Sequence, residues 1–317
     1  MRVSNSLIPK SLRIAAASLL IGSAPIPTAT AQTSLFNDGT DSGWTRYDPI
    51  AAALGQANGA TGNTWTFQNG GYRLTAAASP NPAQLGPGRS GSLRTDTTYS
   101  QFCVSVDILP GWDLVADQAF GLLARVPPNS MGPGTTDGYA FTYQTDGRDI
   151  QISRLTNEDP TAVSEVVAVT LEPTKSYRML FIGDGSDFKG YIFELPNIVT
   201  PIVAVSGSDP TYTSGHLGLV VYDNGGNAGA NALFDNYAAG SLAQPTLALS
   251  AVGSELTFSW PLSAMHHVLQ RSTSLAQNDW EDVIDGSVFL DGITGRQALT
   301  TEPTVNFPHR FFRLRPR

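Results

Sequence analysis

Apolar residues recur along the chain in short runs separated by Gly, Pro, Asn and Asp, and residues 32–317 sustain no helical period. This is the pattern of an all-β protein, in which alternate side chains point to opposite faces of a sheet. The runs predict strands over Trp65–Phe67, Tyr72–Ala76, Phe102–Leu109, Ala119–Val126, Tyr139–Thr145 and Ile150–Leu155. They continue over Val163–Leu171, Tyr177–Ile182, Lys189–Leu195, Ile202–Val205, Leu217–Tyr222 and Ala232–Ala238. The hairpin across Asp146-Gly147 has the strongest turn chemistry, since a tight turn needs the positive φ that Gly supplies. Pro- and Gly-rich stretches at Ser79–Gly91 and Pro127–Gly138 read as rim loops, where ligand sites are often built.

The spacing changes after Gly240–Pro245. Shorter runs at Leu247–Leu249, Glu255–Trp260, His267–Arg271, Trp280–Ile284, Val288–Leu290, Ala298–Thr300 and Arg310–Leu314 predict a second, smaller sandwich. The expected organisation is a main domain over 32–240, a linker at 241–245 and a small domain over 246–317, with Trp260 and Trp280 in the small core.

The first 31 residues read differently. Arg2, Lys10 and Arg13 form a basic region, Ile14–Ile21 a short apolar one, and Ala29-Thr30-Ala31 a small-residue cleavage site, the pattern of a secretory signal peptide cut before Gln32. The expected location is therefore secreted, at the cell surface or in the periplasm, without membrane insertion.

The whole chain of 317 residues carries a formal charge of -8. Residues 32–244 hold 10 Lys and Arg against 20 Asp and Glu, which argues against nucleic acid as a partner. Cys103 is the single cysteine, so no intramolecular disulfide forms, and its place in an alternating run reads as a buried small hydrophobe.

Three segments carry a resemblance. Gly138–Tyr143 with Ile150–Leu155, the opening Leu35–Gly39 with Trp44, and the closing Gly218–Tyr222 and Phe234–Tyr237 resemble concanavalin A-like and laminin-G-like β-sandwiches. That group includes exported sugar-active proteins related to 3-keto-glycoside hydrolases. Leu256–Pro261, Val268–Ser272, Leu275, Trp280 and Arg310–Leu314 resemble a fibronectin type III-like module. The resemblance implies a concanavalin A-like jelly roll followed by a fibronectin type III-like sandwich with an accessory role. It also implies one structural Ca²⁺ held by Asp235, joined by Asn37 or Asp38, since oxygen ligands from Asp-rich loops suit calcium.

Candidate chemistry is sparse. Glycoside hydrolysis needs two carboxylates about 5–10 Å apart across the scissile bond. The acid-rich strand E-x-D-x-x-E that would supply them in such a fold is absent, and the main domain has four Glu: Glu158, Glu165, Glu172 and Glu194. His216 is its one histidine and reads as a hydrogen-bonded structural residue rather than a base. Sugar binding instead rests on aromatic rings, because sugars present apolar C–H faces to them. The candidates are Trp112, placed at the surface by the Pro110-Gly111 turn, together with Tyr139, Tyr143 and Tyr222. Non-catalytic binding of a glycan or other extracellular polymer is the leading expectation. A glycoside hydrolase with an irregular acid pair and a structural envelope protein are the alternatives.

Overall fold

The computed structural model describes residues 32–113, 117–128, 134–225, 228–242, 246–252, 255–261, 264–284, 287–291, 296–301 and 310–317. The expected signal peptide lies outside these residues, as does most of the expected linker.

The first eight strands are β1 (Gln32–Ser34), β2 (Trp44–Tyr47), β3 (Thr64–Gln68), β4 (Gly71–Ala76), β5 (Arg89–Tyr99), β6 (Phe102–Leu109), β7 (Gln118–Val126) and β8 (Gly138–Gln144). They are followed by β9 (Asp149–Thr156), β10 (Asp159–Ala162), β11 (Val167–Ala168), β12 (Tyr177–Asp184), β13 (Asp187–Glu194), β14 (Val203–Ser208), β15 (Gly215–Asp223) and β16 (Ala230–Gly240). All pair antiparallel, in two eight-stranded sheets. Sheet A has the order β14-β13-β12-β6-β16-β4-β3 with β1 on β16, and sheet B the order β10-β9-β8-β7-β15-β5-β2 with β11 on β9. The hairpin β15–β16 thus divides between the sheets, and the fold is an all-β sandwich of two antiparallel sheets.

The inner faces meet in one core. Tyr72, Leu74, Val104, Val106, Met179 and Phe181 of sheet A face Phe120, Leu122, Phe141, Ile152, Leu219 and Val221 of sheet B. Each such side chain contributes about 1.5–3 kcal/mol by leaving water.

One end of this core is closed by Arg125. It is only 1% exposed, has φ 51° and sits at a bulge in the β7–β15 ladder. The bulge turns its guanidinium inward, over the rings of Phe102 and Phe188, where it donates to the carbonyls of Ser100, Gly185 and Tyr212.

Two expectations are corrected by the sheets. The run Val163–Leu171 is not a long strand: it holds only the two-residue β11 and one bridge, Ser164 to Gly207, at the sandwich margin. β5, by contrast, is eleven residues long and begins inside the expected loop Ser79–Gly91. Its Ser90, Gly91 and Ser92 are buried beneath neighbouring strands, and small polar residues give no apolar alternation to read.

Beyond β16, β17 (Ala248–Val252), β18 (Glu255–Pro261), β21 (Ser287–Asp291) and β22 (Arg296–Thr301) form a four-stranded sheet, while β19 (His267–Ser272), β20 (Glu281–Asp282) and β23 (Phe311–Pro316) form a three-stranded one. Phe258, Trp260, Ala264, Leu269 and Val283 make their core. Trp280 is not in it. The ring is half-buried under the guanidinium of Arg313, 4.1 Å away.

This C-terminal unit packs on a patch of the outer face of sheet A. Met265 packs on Cys103, Leu180, Ile182, Phe193, Ile198 and Ala238, and Arg317 lies over the Phe193 ring while donating to the carbonyls of Ile198 and Val199. Cys103 is buried, as its pattern implied.

His266 sits at this contact, its ring 4.2 Å from that of His267. Burial, then the neighbouring His267 and Arg317, lower its pKa to about 4. Unfolded, the group titrates near 6.5, so its contribution is fully present above that pH and is lost as pH falls from about 6.5 to about 4. The melting temperature of His266→Gln should therefore fall less than that of the wild type across that window. Parallel slopes in a calorimetric pH series would remove the assignment.

Candidate functional site

Period two in the strands of sheet B gives each a second face. In β7, Phe120 and Leu122 enter the core while Leu123 points the other way, beside Ala140 of β8. Leu93, Val126 and Val220 complete this outer apolar layer, with Leu155 and Tyr222 packed at its margins. A Cβ at Gly121 would lie 2.0 Å from the carbonyl oxygen of Phe141, so the floor between Val220 and Thr142 is bare backbone. Over this floor lies a cleft of about 690 Å³. Gln84, Asn157, Asp159 and Asn224 supply polar groups along its walls.

The cleft is crossed by a clasp. Asn157 and Glu158 form the β9–β10 turn with φ 53° and 71°, the left-handed pair of a type I′ turn. Glycine is the usual occupant of such positions; a side chain there costs about 1–2 kcal/mol.

What Glu158 gains is a full set of donors. Arg89 binds it through Nε at 2.8 Å and Nη2 at 2.6 Å, Gly134 N–H donates at 2.5 Å, and the Tyr47 hydroxyl donates as well. Its own N–H donates to the Thr136 carbonyl. The ion-pair side chains are 12% and 14% exposed, and a bidentate, multiply bonded pair is the geometry in which burial of charge is tolerated. Burial, reinforced by the Glu158 carboxylate, pushes the Tyr47 hydroxyl far up. In sheet order β15, β7 and β8 lie between Arg89 on β5 and the β9–β10 turn. The ion pair therefore reaches over the outer face of three strands.

The cleft is acidic where β15 pairs with Arg89, whose cross-strand partner is Tyr222. Asp223 is buried and accepts from the N–H groups of Gly225 and Gly229. Burial raises the pKa of Tyr222, offset by the Thr142 hydroxyl and reinforced by Asp146, Asp149 and Asp117. Burial and the charge of Asp146 also raise Asp117 and Asp149.

Of the four aromatics expected to bind ligand, Tyr222 lines the cleft. The other three are corrected. Trp112 is 3% exposed, because the Gly111 turn (φ 105°) folds its ring inward against Phe120 and Tyr143. Tyr139 and Tyr143 do share a face with Phe141, and that face is the core. Their hydroxyls are satisfied there, Tyr139 donating to Asp209 and Tyr143 accepting from Leu171 N–H. His216 is structural, its Nδ1 donating to the Thr97 carbonyl at 3.0 Å.

Asp235 and Asp38, the calcium ligands that the resemblance implies, each accept hydrogen bonds from their own neighbourhood, Asp235 from Asn236 N–H and Asp38 from Thr40. Among the described residues no three His, Cys, Asp or Glu side chains converge. Asp38 is exposed and accepts from the N–H and hydroxyl of Thr40. In β16 a bulge after Asp235, with Asn236 at φ 50°, breaks the alternation, so Tyr237 turns into the core and no longer shares a face with Asp235. Burial, then the charge of Asp107, raises Asp235 to about 6.

Glu158, Arg89 and Tyr47 carried no sequence signal, since a partner across the fold leaves no local spacing. The turn residues Asn157-Glu158-Asp159 were the visible trace.

No protein-family model matches the chain, and no curated protein matches it in sequence. Solved structures of similar fold include a carbohydrate-binding module from Bacillus subtilis, with 18% identity, 63% of this chain and 96% of that one covered, and a TM-score of 0.44. Others are a prokaryotic β-1,3-1,4-glucanase from a mouse hindgut metagenome (13%, 67% and 99%, 0.45) and a Bacillus licheniformis β-glucanase (15%, 68% and 99%, 0.45). At this distance they assign neither ligand nor activity.

Asp235 yields a direct prediction. Its folded pKa lies above the ordinary carboxylate value, so its charge destabilises the fold above about pH 6 and that penalty fades as pH falls toward 4. Asp235→Asn should raise the melting temperature at pH 7.5, by an amount that shrinks on acidification. A calcium-binding Asp235 would give the reverse: a lower melting temperature in the variant and a loss of stability on chelation in the wild type.

Proposed function

We propose that this protein binds an extracellular glycan, without turnover, in the cleft on the outer face of sheet B. The observation that carries the reading is the composition of that cleft: a flat floor of Leu123, Ala140 and Val220 beside the Tyr222 ring, edged by amide and carboxylate groups. Such a surface suits a sugar, whose C–H faces need apolar contact and whose hydroxyls need side-chain partners, and its volume lies within the usual ~300–1,000 Å³ of ligand pockets.

Binding is favoured over hydrolysis because the lining carboxylates are poorly placed for a proton donor and its partner. Glu158 is held by Arg89, Asp223 is buried on two backbone N–H groups, and Asp159 is exposed at the rim. Among the described residues the floor strands present no carboxylate pair to the cleft. The C-terminal unit, read as a fibronectin type III-like accessory module, packs on the outer face of sheet A, the sheet that does not carry the cleft. Among the described residues no helix is long and apolar enough to cross a membrane. Export remains the reading that the N-terminal 31 residues support.

Glycan-array screening followed by calorimetry tests the proposal. At least one glycan should bind, no sugar should be released, and Tyr222→Ala should weaken binding about tenfold, the usual scale for losing an anchoring aromatic. Failure to bind any glycan, or release of product, would contradict it.

A further inference from the structure

The charge of the cleft narrows the ligand. Among the described residues its lining contains one cation, Arg89, against three carboxylates, those of Glu158, Asp159 and Asp223.

Arg89 is not free to meet an anion. Its Nε and Nη2 are on Glu158, and its Nη1 donates to the carbonyls of Leu85 and Pro87, both at 2.8 Å. Four of its five N–H donors are thus occupied. An anionic sugar would enter beside carboxylates with no unneutralised positive partner. Beside Tyr222, the cross-strand partner of Arg89, it would also meet the negative charge of Asp117, Asp146 and Asp149, which act on the Tyr222 hydroxyl. An uncharged sugar meets none of this cost, since hydroxyls donate to carboxylates.

Glu158 occupies a left-handed turn position that glycine would fill without strain. The residue there has two effects: it ties the clasp shut, and it cancels the one positive charge in the cleft.

We infer that the cleft selects uncharged glycans and rejects polyanionic ones, and that Glu158 is the residue setting this selectivity by neutralising Arg89. This rests on the glycan reading above. A phosphate, sulfate or uronate recognition site would keep its arginine free, because charge-assisted bidentate contacts are what distinguish such ligands. Here the fork is already filled from within.

The experiment compares uncharged oligosaccharides with uronate and sulfated oligosaccharides of equal chain length, by calorimetry at low and at physiological salt. For the wild type, an uncharged ligand should bind with an affinity nearly independent of salt, and the anionic series at least about tenfold more weakly. In Glu158→Gln the anionic ligands should gain about tenfold, and added salt should erase the gain. Equal or tighter binding of the anionic series by the wild type would overturn the selectivity while leaving glycan binding intact. So would a folded Glu158→Gln protein with unchanged preference. Absence of binding to every oligosaccharide would remove the glycan reading, and the selectivity with it. The wild-type comparison stands on its own if the variant does not fold.

Discussion

The central strands of sheet B are buried on both faces, and the rest of the molecule is arranged around that fact. All nine residues of β7 are buried, as are eight of the nine in β15. A strand in a two-layer sandwich needs one apolar face; a second one must be covered by something else. The inner face packs on sheet A. Among the described residues the outer face, with Leu123, Ala140 and Val220, is edged by rim segments that include residues 82–87 and 134–136 and is crossed by the Arg89–Glu158 clasp. Sheet A solves the same problem differently, by docking Met265 and Arg317 of the C-terminal unit on its outer patch. One outer face is closed by protein, and the other is left as a cleft.

The clasp gives that cleft its character. A buried ion pair repays its desolvation only when the remaining lone pairs and protons are satisfied, and Glu158 meets that condition with three separate donors. The cost appears in the backbone, where a non-glycine residue is held at φ 71°. Backbone strain retained in this way marks positions that a fold keeps for a purpose. Holding the β9–β10 turn over the sheet and silencing Arg89 are accomplished by the same contacts, so geometry and charge selectivity are not independent properties here.

Most of the architecture was legible in the sequence, and the reason is period two. The runs at Phe102–Leu109, Ala119–Val126 and Leu217–Tyr222 lie within β6, β7 and β15, because their apolar residues carry their own record of burial. β5 was not legible, since Ser90, Gly91 and Ser92 pack by being small rather than apolar. Faces are not legible where alternation is broken. The bulge at Asn236 reverses Tyr237, and the bulge at Arg125 sends a charged side chain into the core. The site was the least legible part. Tyr222 could be named as an aromatic near a loop, but Tyr139 and Tyr143 show that composition alone does not say which face of a strand is wet. Arg89 and Glu158 are 69 residues apart and meet only because the β9–β10 turn curls over the sheet.

The outer face of sheet B is the proposed binding face. It is tested most directly by mapping amide chemical-shift changes in isotopically labelled protein as an uncharged oligosaccharide that binds is titrated in. The changes should cluster at Leu123, Ala140, Val220 and Tyr222 and reach Glu158 at the clasp. Changes confined to the outer face of sheet A or to the C-terminal unit would contradict it.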